Sequence, residues 1–183
     1  MRKKLNPEDS FDIFSGEKQD CKHILKFIRM LAEYERALDE VLITENDLAR
    51  DGFADNPKFE TLICFKSGEA AGMALFYHRY STWKGPSLYL EDIFIDPKYR
   101  RHGIATSMMN ILCQIAVERS CERFEWQVLN WNQSAIDFYS AFKPTFDDEW
   151  INVKLTLNQA KDYLFNREPL SSSGSQICES SHV

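Results

Sequence analysis

Few of the residues that dictate unusual architectures occur in this chain. Seven glycines and six prolines in 183 residues are too few for a fibrous or low-complexity protein. The apolar runs fall far short of the roughly 20 residues that a membrane-spanning helix needs. The amino terminus, Met1-Arg2-Lys3-Lys4-Leu5, is basic but lacks the apolar segment of a secretory signal. Five cysteines (Cys21, Cys64, Cys113, Cys121 and Cys178) are odd in number and contain no CxxC pair. That speaks against a zinc site and against a disulfide framework; reduced thiols in a cytoplasmic protein are the plain reading, with no metal expected. Positive charge is not in excess either. The 22 basic and 28 acidic residues leave a net charge of −6, which disfavours nucleic acid as a partner and suits a cationic ligand.

What is present describes an ordinary globular chain, 44% hydrophobic and 27% charged, long enough to bury a sizeable core. Residues 1–10 read as a flexible terminus, 11–166 as a single domain, and 167–183 as a Ser-rich disordered tail. Phe11–Phe14 reads as a short strand. From Asp20, a plausible N-cap, Ile24, Leu25, Ile28, Leu31 and Ala32 recur on one helical face. Thr44-Glu45-Asn46-Asp47 has the spacing of a helix start. Glu60–Lys66 and Ala70–Tyr80 flank a Ser67-Gly68-Glu69 turn as a hairpin, and Ser87–Ile95 reads as a further strand. A helix over Ile104–Ser120, a strand over Phe124–Leu129, a helix over Gln133–Phe142, a last strand near Trp150–Leu157 and a closing helix to Phe165 follow. A hairpin-rich first half and a βαβα second half give an α+β fold, a mixed, mostly antiparallel sheet flanked by helices.

The most informative stretch is Leu90-Glu91-Asp92-Ile93-Phe94-Ile95 followed by Asp96-Pro97-Lys98-Tyr99-Arg100-Arg101-His102-Gly103-Ile104-Ala105-Thr106. A strand runs through a short basic loop directly into a helix. Unpaired N–H groups at a helix start attract anions, and glycine lets a phosphate approach the backbone. Arg100 or Arg101 adds charge. Taken alone, a turn that simply requires glycine explains the loop equally well.

Arg100-x-x-Gly103-x-Ala105 resembles the pyrophosphate motif of the GCN5-related N-acetyltransferase superfamily. Leu90-Glu91-Asp92-Ile93-Phe94, Trp131-Asn132, Phe138-Tyr139, Leu31-Ala32-Glu33-Tyr34-Glu35, Asp51-Gly52-Phe53 and Tyr80-Ser81-Thr82-Trp83-Lys84-Gly85 are similar to the spermidine/spermine (diamine) acetyltransferases and their thialysine-acetylating branch. The resemblance covers about residues 20–165 and implies transfer of acetyl from acetyl-CoA to a primary amine of a small molecule. It implies that Arg100, Arg101, His102, Gly103, Ile104, Ala105 and Thr106 hold the pyrophosphate. Backbone N–H groups around Ile93, Phe94 and Ile95 bind the acetyl and pantetheine oxygens, given a bulge that splays the strand. Asn132, Gln133, Ser134 and Ala135 hold the pantetheine arm. His102 by itself reads as a solvent-facing loop residue.

A lysine-type amine has a pKa near 10.4, so about one molecule in a thousand is nucleophilic at neutral pH. Glu91 is the implied base, directly or through water, and Tyr139 the implied acid for the departing thiolate. Tyr34, Glu35, Glu91, Asp92, Trp83, Glu125, Trp126, Gln127 and an acid near Asp148 are the implied amine site. Acidic and aromatic side chains suit an ammonium-bearing chain.

Two departures matter. Lys143, followed by Pro144, stands where these families carry a helix-ending glycine. Ser81-Thr82 replaces the acid that the polyamine enzymes place before Pro-Trp, so the substrate leans toward a lysine-like amino acid such as thialysine, with Lys84 offered to its carboxylate and with diamines and polyamines close behind. Other readings of the same fold are a protein acetyltransferase and a non-catalytic acetyl-CoA-binding module. A homodimer is the arrangement the resemblance implies. Ser181-His182-Val183 also fits a PDZ-type terminus.

Overall fold

The computed structural model describes residues 2–166, so the Ser-rich tail, Cys178 and the terminal Ser181-His182-Val183 lie outside the described residues. Contacts divide the chain into two compact units, the boundary falling in the sequence after Asn132, within the stretch that the sequence reads as one domain.

The first unit carries a five-stranded sheet in the order β1-β2-β3-β4-β5: β1 (Asp12–Ser15), β2 (Glu60–Lys66), β3 (Glu69–Ser81), β4 (Gly85–Ile95) and β5 (Arg123–Trp126). The first three pairings are antiparallel and β4–β5 is parallel, the mixed, mostly antiparallel sheet expected. Three helices accompany it: α1 (Cys21–Tyr34), α2 (Glu45–Gly52) and α3 (Ile104–Glu118). Helix α1 buries Ile24, Leu25 and Phe27 against Ile63, Met73, Leu75 and Phe94, each such side chain contributing about 1.5–3 kcal/mol. Helix α3 buries Ile104, Met108, Met109, Ile111 and Leu112.

The capping spacing at the start of α2 is realised: Thr44 accepts from the Asp47 N–H, and Asp47 accepts from the Thr44 N–H at 3.0 Å. Asp20 does not cap α1. It is buried, and its carboxylate accepts from Arg2 and from the Glu17 N–H at 2.8 Å. The residues before β1, expected to be loose, are pinned. Arg2 reaches Asp20 and the Ser15 carbonyl, Leu5 pairs with Ile13 across 2.8 Å, and buried Asn6 bonds Phe11 and Ile13. A short polar segment with no periodicity gives no sign of such a side-chain-to-backbone clasp.

The second unit holds α4 (Gln133–Ser140) and α5 (Leu157–Phe165). Helix α4 ends before Pro144, and Lys143 takes the left-handed conformation (φ 53°) in place of glycine. The strand expected near Trp150–Leu157 does not form. Residues 151–156 carry alternating apolar and polar side chains but form no strand with any described residue, and Ile151 and Val153 are 87% and 89% exposed. Alternation specifies one face of a strand; a ladder needs a neighbour as well. The strand expected to reach Leu129 also stops early, at Trp126.

Candidate functional site

The site begins with an irregularity in β4. Leu75 of β3 faces Asp92 and the next residue, Phe76, faces Leu90, so Glu91 is an extra residue, a β-bulge. In a regular strand consecutive side chains point to opposite faces; the bulge resets that alternation. Glu91 therefore shares a face with Tyr89, and Asp92 shares that same face with Phe94. Two adjacent carboxylates converge that a plain strand would separate.

The Tyr77 hydroxyl donates to Glu91 Oε2 at 2.8 Å, and the Tyr77 and Tyr89 rings lie 5.3 Å apart. Burial, reinforced by Glu91 and Glu35, pushes the Asp92 carboxyl up to about 6. Burial likewise raises Glu35, the residue that caps α1. Burial and the bond to Glu91 push the Tyr77 hydroxyl up to about 12, so it stays a donor at any ordinary pH.

The second feature is a gap. Strand β5 pairs with β4 only from Ser87 to Leu90, and beyond that β4 is held on one side. The Asp96 N–H donates to Ala71 of the β3 side at 2.9 Å. Because alternate residues of an antiparallel ladder face the same neighbour, the Ile93 and Ile95 N–H groups point away from β3 into the opening. Phe94 bonds toward β3 and is buried in the core beneath α1, so its own amide is not among them. The Ile95 carbonyl accepts from Arg100 Nε at 3.1 Å, as this geometry requires.

The loop then turns through left-handed backbone at Arg101 (φ 65°) and Gly103 (φ 80°) and opens α3 at Ile104. Ser107 makes the first intrahelical bond, to the Gly103 carbonyl, at 2.9 Å. The N–H groups of Ile104, Ala105 and Thr106 thus have no intrahelical partner, the ordinary condition of a first turn. Arg101 and His102 are exposed. Arg100 is exposed as well, with its guanidinium 5.9 and 5.7 Å from the centroids of the Tyr34 and Phe94 rings.

Tyr34, the last residue of α1, donates to Asn132 Oδ1 at 3.1 Å and packs on Trp131 at 5.8 Å. It thereby ties α1 to the segment beyond β5. Glu125 lies opposite Tyr89 and pairs with Arg123 at 3.0 Å. Its neighbour Trp126 belongs to the other face, with its ring 5.0 Å from Phe124, and so does not share the Glu91 surface as expected. Gln127 follows β5. Trp83 is 78% exposed at the β3–β4 hairpin tip, where Ser81 Oγ accepts from the Trp83 and Lys84 N–H groups. Six residues of strand, about 20 Å, separate that tip from Glu91, so neither Trp83 nor Lys84 joins the carboxylates within one chain.

The second unit holds the remaining expected residues. Gln133, Ser134 and Ala135 form the first turn of α4, with Gln133 bonded to Asp137 at 2.7 Å. Tyr139 is buried in α4, its ring 5.2 Å from Phe138, and Asp148 is exposed in the segment beyond it. Sequence reasoning missed Tyr77, Tyr89 and Arg79. The available signal was their position at alternate residues of β3 and β4, on the face the bulge assigns to Glu91.

A family model described as "Acetyltransferase (GNAT) family" matches residues 24–142. Thialysine N-epsilon-acetyltransferase of Sus scrofa is 40% identical over 135 residues, covering 69% of this chain and 79% of that protein. Spermidine/spermine N(1)-acetyltransferase-like protein 1 of Homo sapiens is 38% identical over 140 residues, 73% of this chain and 20% of that longer protein. Among solved structures, the aminoglycoside N-acetyltransferase AAC(6')-Iy in complex with CoA superimposes with a TM-score of 0.62 at 18% identity, covering 79% of this chain and 94% of that one. The fold, the family model and these identities lead to one conclusion: the chain belongs to the GNAT family of acetyltransferases.

Proposed function

We propose that the protein transfers acetyl from acetyl-CoA to a primary amine of a small molecule, a lysine-like amino acid such as thialysine or a diamine, by direct attack in a ternary complex. One observation carries the reading. The bulge at Glu91 sets two carboxylates and two tyrosines beside an opening in the sheet into which Ile93 and Ile95 N–H groups point.

Acetyl-CoA fits this frame as the co-substrate. The left-handed backbone at Arg101 and Gly103 exposes the first-turn amides of α3 to a pyrophosphate. The Ile93 and Ile95 amides are donors for the thioester and pantetheine oxygens, with Asn132 to Ala135 alongside the arm. The amine sits as an ammonium at Glu91, Asp92 and Glu35. Glu91 takes its proton, directly or through water, and the nitrogen pair attacks the thioester carbonyl carbon. The carbon–sulfur bond breaks, and Tyr139 gives its hydroxyl proton to the departing CoA thiolate. The new amide nitrogen sheds its second proton through water, which restores the tyrosine hydroxyl, and Glu91 releases the first to solvent.

The exposed Trp150, Ile151, Val153, Leu155 and Leu157 support a homodimer in which this segment finds its strand partner on a second copy. Free thiols at Cys21, Cys64, Cys113 and Cys121 support a cytoplasmic setting, and no helix among the described residues is long and apolar enough to cross a membrane.

Incubation with acetyl-CoA, a panel of small amines and a thiol-reactive dye tests the reading. Thiol release that depends on thialysine or a diamine supports it. Release only with a peptide would instead indicate a protein acetyltransferase, and acetyl-CoA binding without release a non-catalytic module.

A further inference from the structure

The face that carries Glu91 and Asp92 does not end at Tyr77 and Tyr89. The next residue of β3 on that face is Arg79, and its guanidinium lies 4.5 Å from the centroid of the buried Tyr89 ring. The row therefore reads Glu91, Tyr77, Tyr89, Arg79: carboxylate at one end, an aromatic floor, a cation at the other. The charges near this floor are Glu91, Asp92, Glu125 and Arg79. Glu91 is bonded to Tyr77 and Glu125 is paired with Arg123. Among the described residues no ion pair with Arg79 is found within 4.0 Å, while the other arginines near the sheet, Arg119 and Arg123, each hold a glutamate.

We infer that Arg79 is the receptor for a carboxylate on the acceptor, and that it decides for an ω-amino acid over a polyamine. The inference rests on the reading above that Glu91 and Asp92 hold the reacting amine. Geometry supplies the fit. Glu91 and Arg79 lie two alternate-residue steps apart along this face, about 13 Å, with the Tyr77 and Tyr89 rings between them. A charge-assisted hydrogen bond of about 3 Å at each end leaves about 7 Å for the ligand, the separation of amine and carboxylate in an extended lysine-length chain. Stacking on Tyr89 holds the guanidinium plane in place, so its donors are already arranged for a two-oxygen acceptor. A polyamine laid along the same row would bring a second ammonium against Arg79, and like-charge contact selects against it. Ser81, the next residue of β3 on this face, carries no charge to offset that repulsion. Arg79 thus fills the role expected of Lys84, which the fold leaves at the hairpin tip.

The test compares two acceptors that differ only in the carboxylate: thialysine and bis(2-aminoethyl) sulfide, its decarboxylated counterpart. The quantity read is the ratio of their kcat/KM values. In the wild type thialysine is favoured, and in Arg79→Gln the ratio falls about 10- to 100-fold, the loss expected for a charge-assisted pair. Arg79→Lys retains the charge but not the fork, and its ratio falls less. A ratio that is unchanged in Arg79→Gln while the wild type is active overturns the assignment of Arg79 and leaves the acetyltransferase reading standing. Wild-type protein that acetylates neither amine overturns that reading and this one with it.

Discussion

The two halves of β4 are continuous in the chain and opposite in use. From Ser87 to Leu90 the strand is held by β3 on one side and β5 on the other, and Ser87, Leu88, Tyr89 and Leu90 are all buried. From Glu91 to Ile95 it pairs with β3 alone among the described residues, Glu91 is exposed, and the Ile93 and Ile95 N–H groups point away from β3. A single extra residue separates the halves. The lesson is that a sheet brings carboxylates and free backbone donors together by ending one pairing early and slipping another by one residue, with no loop required.

That contrast can be broken at several points, in descending order of effect. The largest losses are expected where protons move. Glu91→Gln keeps size and hydrogen bonding yet lowers kcat/KM for the amine by roughly 10²–10³-fold at pH 7. The deficit shrinks toward pH 9, where the free amine is commoner without help. Equal losses at both pH values would remove Glu91 as the base. Tyr139→Phe lowers kcat by about 10²-fold or more with little change in acetyl-CoA affinity; a change within about twofold would make Tyr139 a packing residue.

Gly103→Val comes next. Gly103 sits at φ 80°, which a β-branched residue tolerates poorly, and the side chain would stand where the pyrophosphate approaches. The KM for acetyl-CoA rises on the order of 10-fold. An unchanged KM in a folded variant would exclude the loop from the phosphate site.

Asp92→Asn trades activity for stability. Burial raises the Asp92 carboxyl from 3.8 to about 6, so the folded state prefers the neutral acid. Its stabilising contribution is complete below pH 4 and is lost as the pH rises through about 6. At pH 7 the wild type therefore carries a buried charge that asparagine lacks, and the variant is more stable by about 1–2 kcal/mol, a few degrees in Tm. That advantage fades below pH 4, and the wild-type kcat/KM for the amine falls as Asp92 takes up its proton. Lower stability of the variant at pH 7 would show that the charge is already compensated. The smallest effect belongs to Lys143→Gly, which relieves the left-handed backbone at φ 53° and raises stability by up to about 1 kcal/mol, read as a denaturant midpoint.

The sequence carried much of this, and where it failed the cause is physical. The Glu60–Lys66 strand, the first-turn capping of Glu45–Gly52 and the Ile104 helix start each announce themselves through local chemistry: a short apolar run, a capping pair, a glycine. The bulge comes only from the resemblance. Nothing in Leu90-Glu91-Asp92-Ile93 by itself says that one residue lacks a partner, because register is set by the strand alongside. For the same reason Trp126 was grouped with Glu125, although pleating sends them to opposite faces. The segment 150–157 is the inverse case, a strand pattern that forms no ladder among the described residues. The contacts of Arg100 with the Tyr34 and Phe94 rings are likewise absent from any local pattern, because α1 and β4 meet only in the folded chain.

The central claim is that the half of β4 beyond Leu90 serves acetyl-CoA through its backbone. Amide hydrogen exchange, resolved by residue with and without acetyl-CoA, tests this most directly. The Ile93 and Ile95 amides, which face the opening, should gain strong protection on binding, while those of Ser87 to Leu90 change little. Protection spread evenly along β4, or none at Ile93 and Ile95 with acetyl-CoA bound, would contradict it.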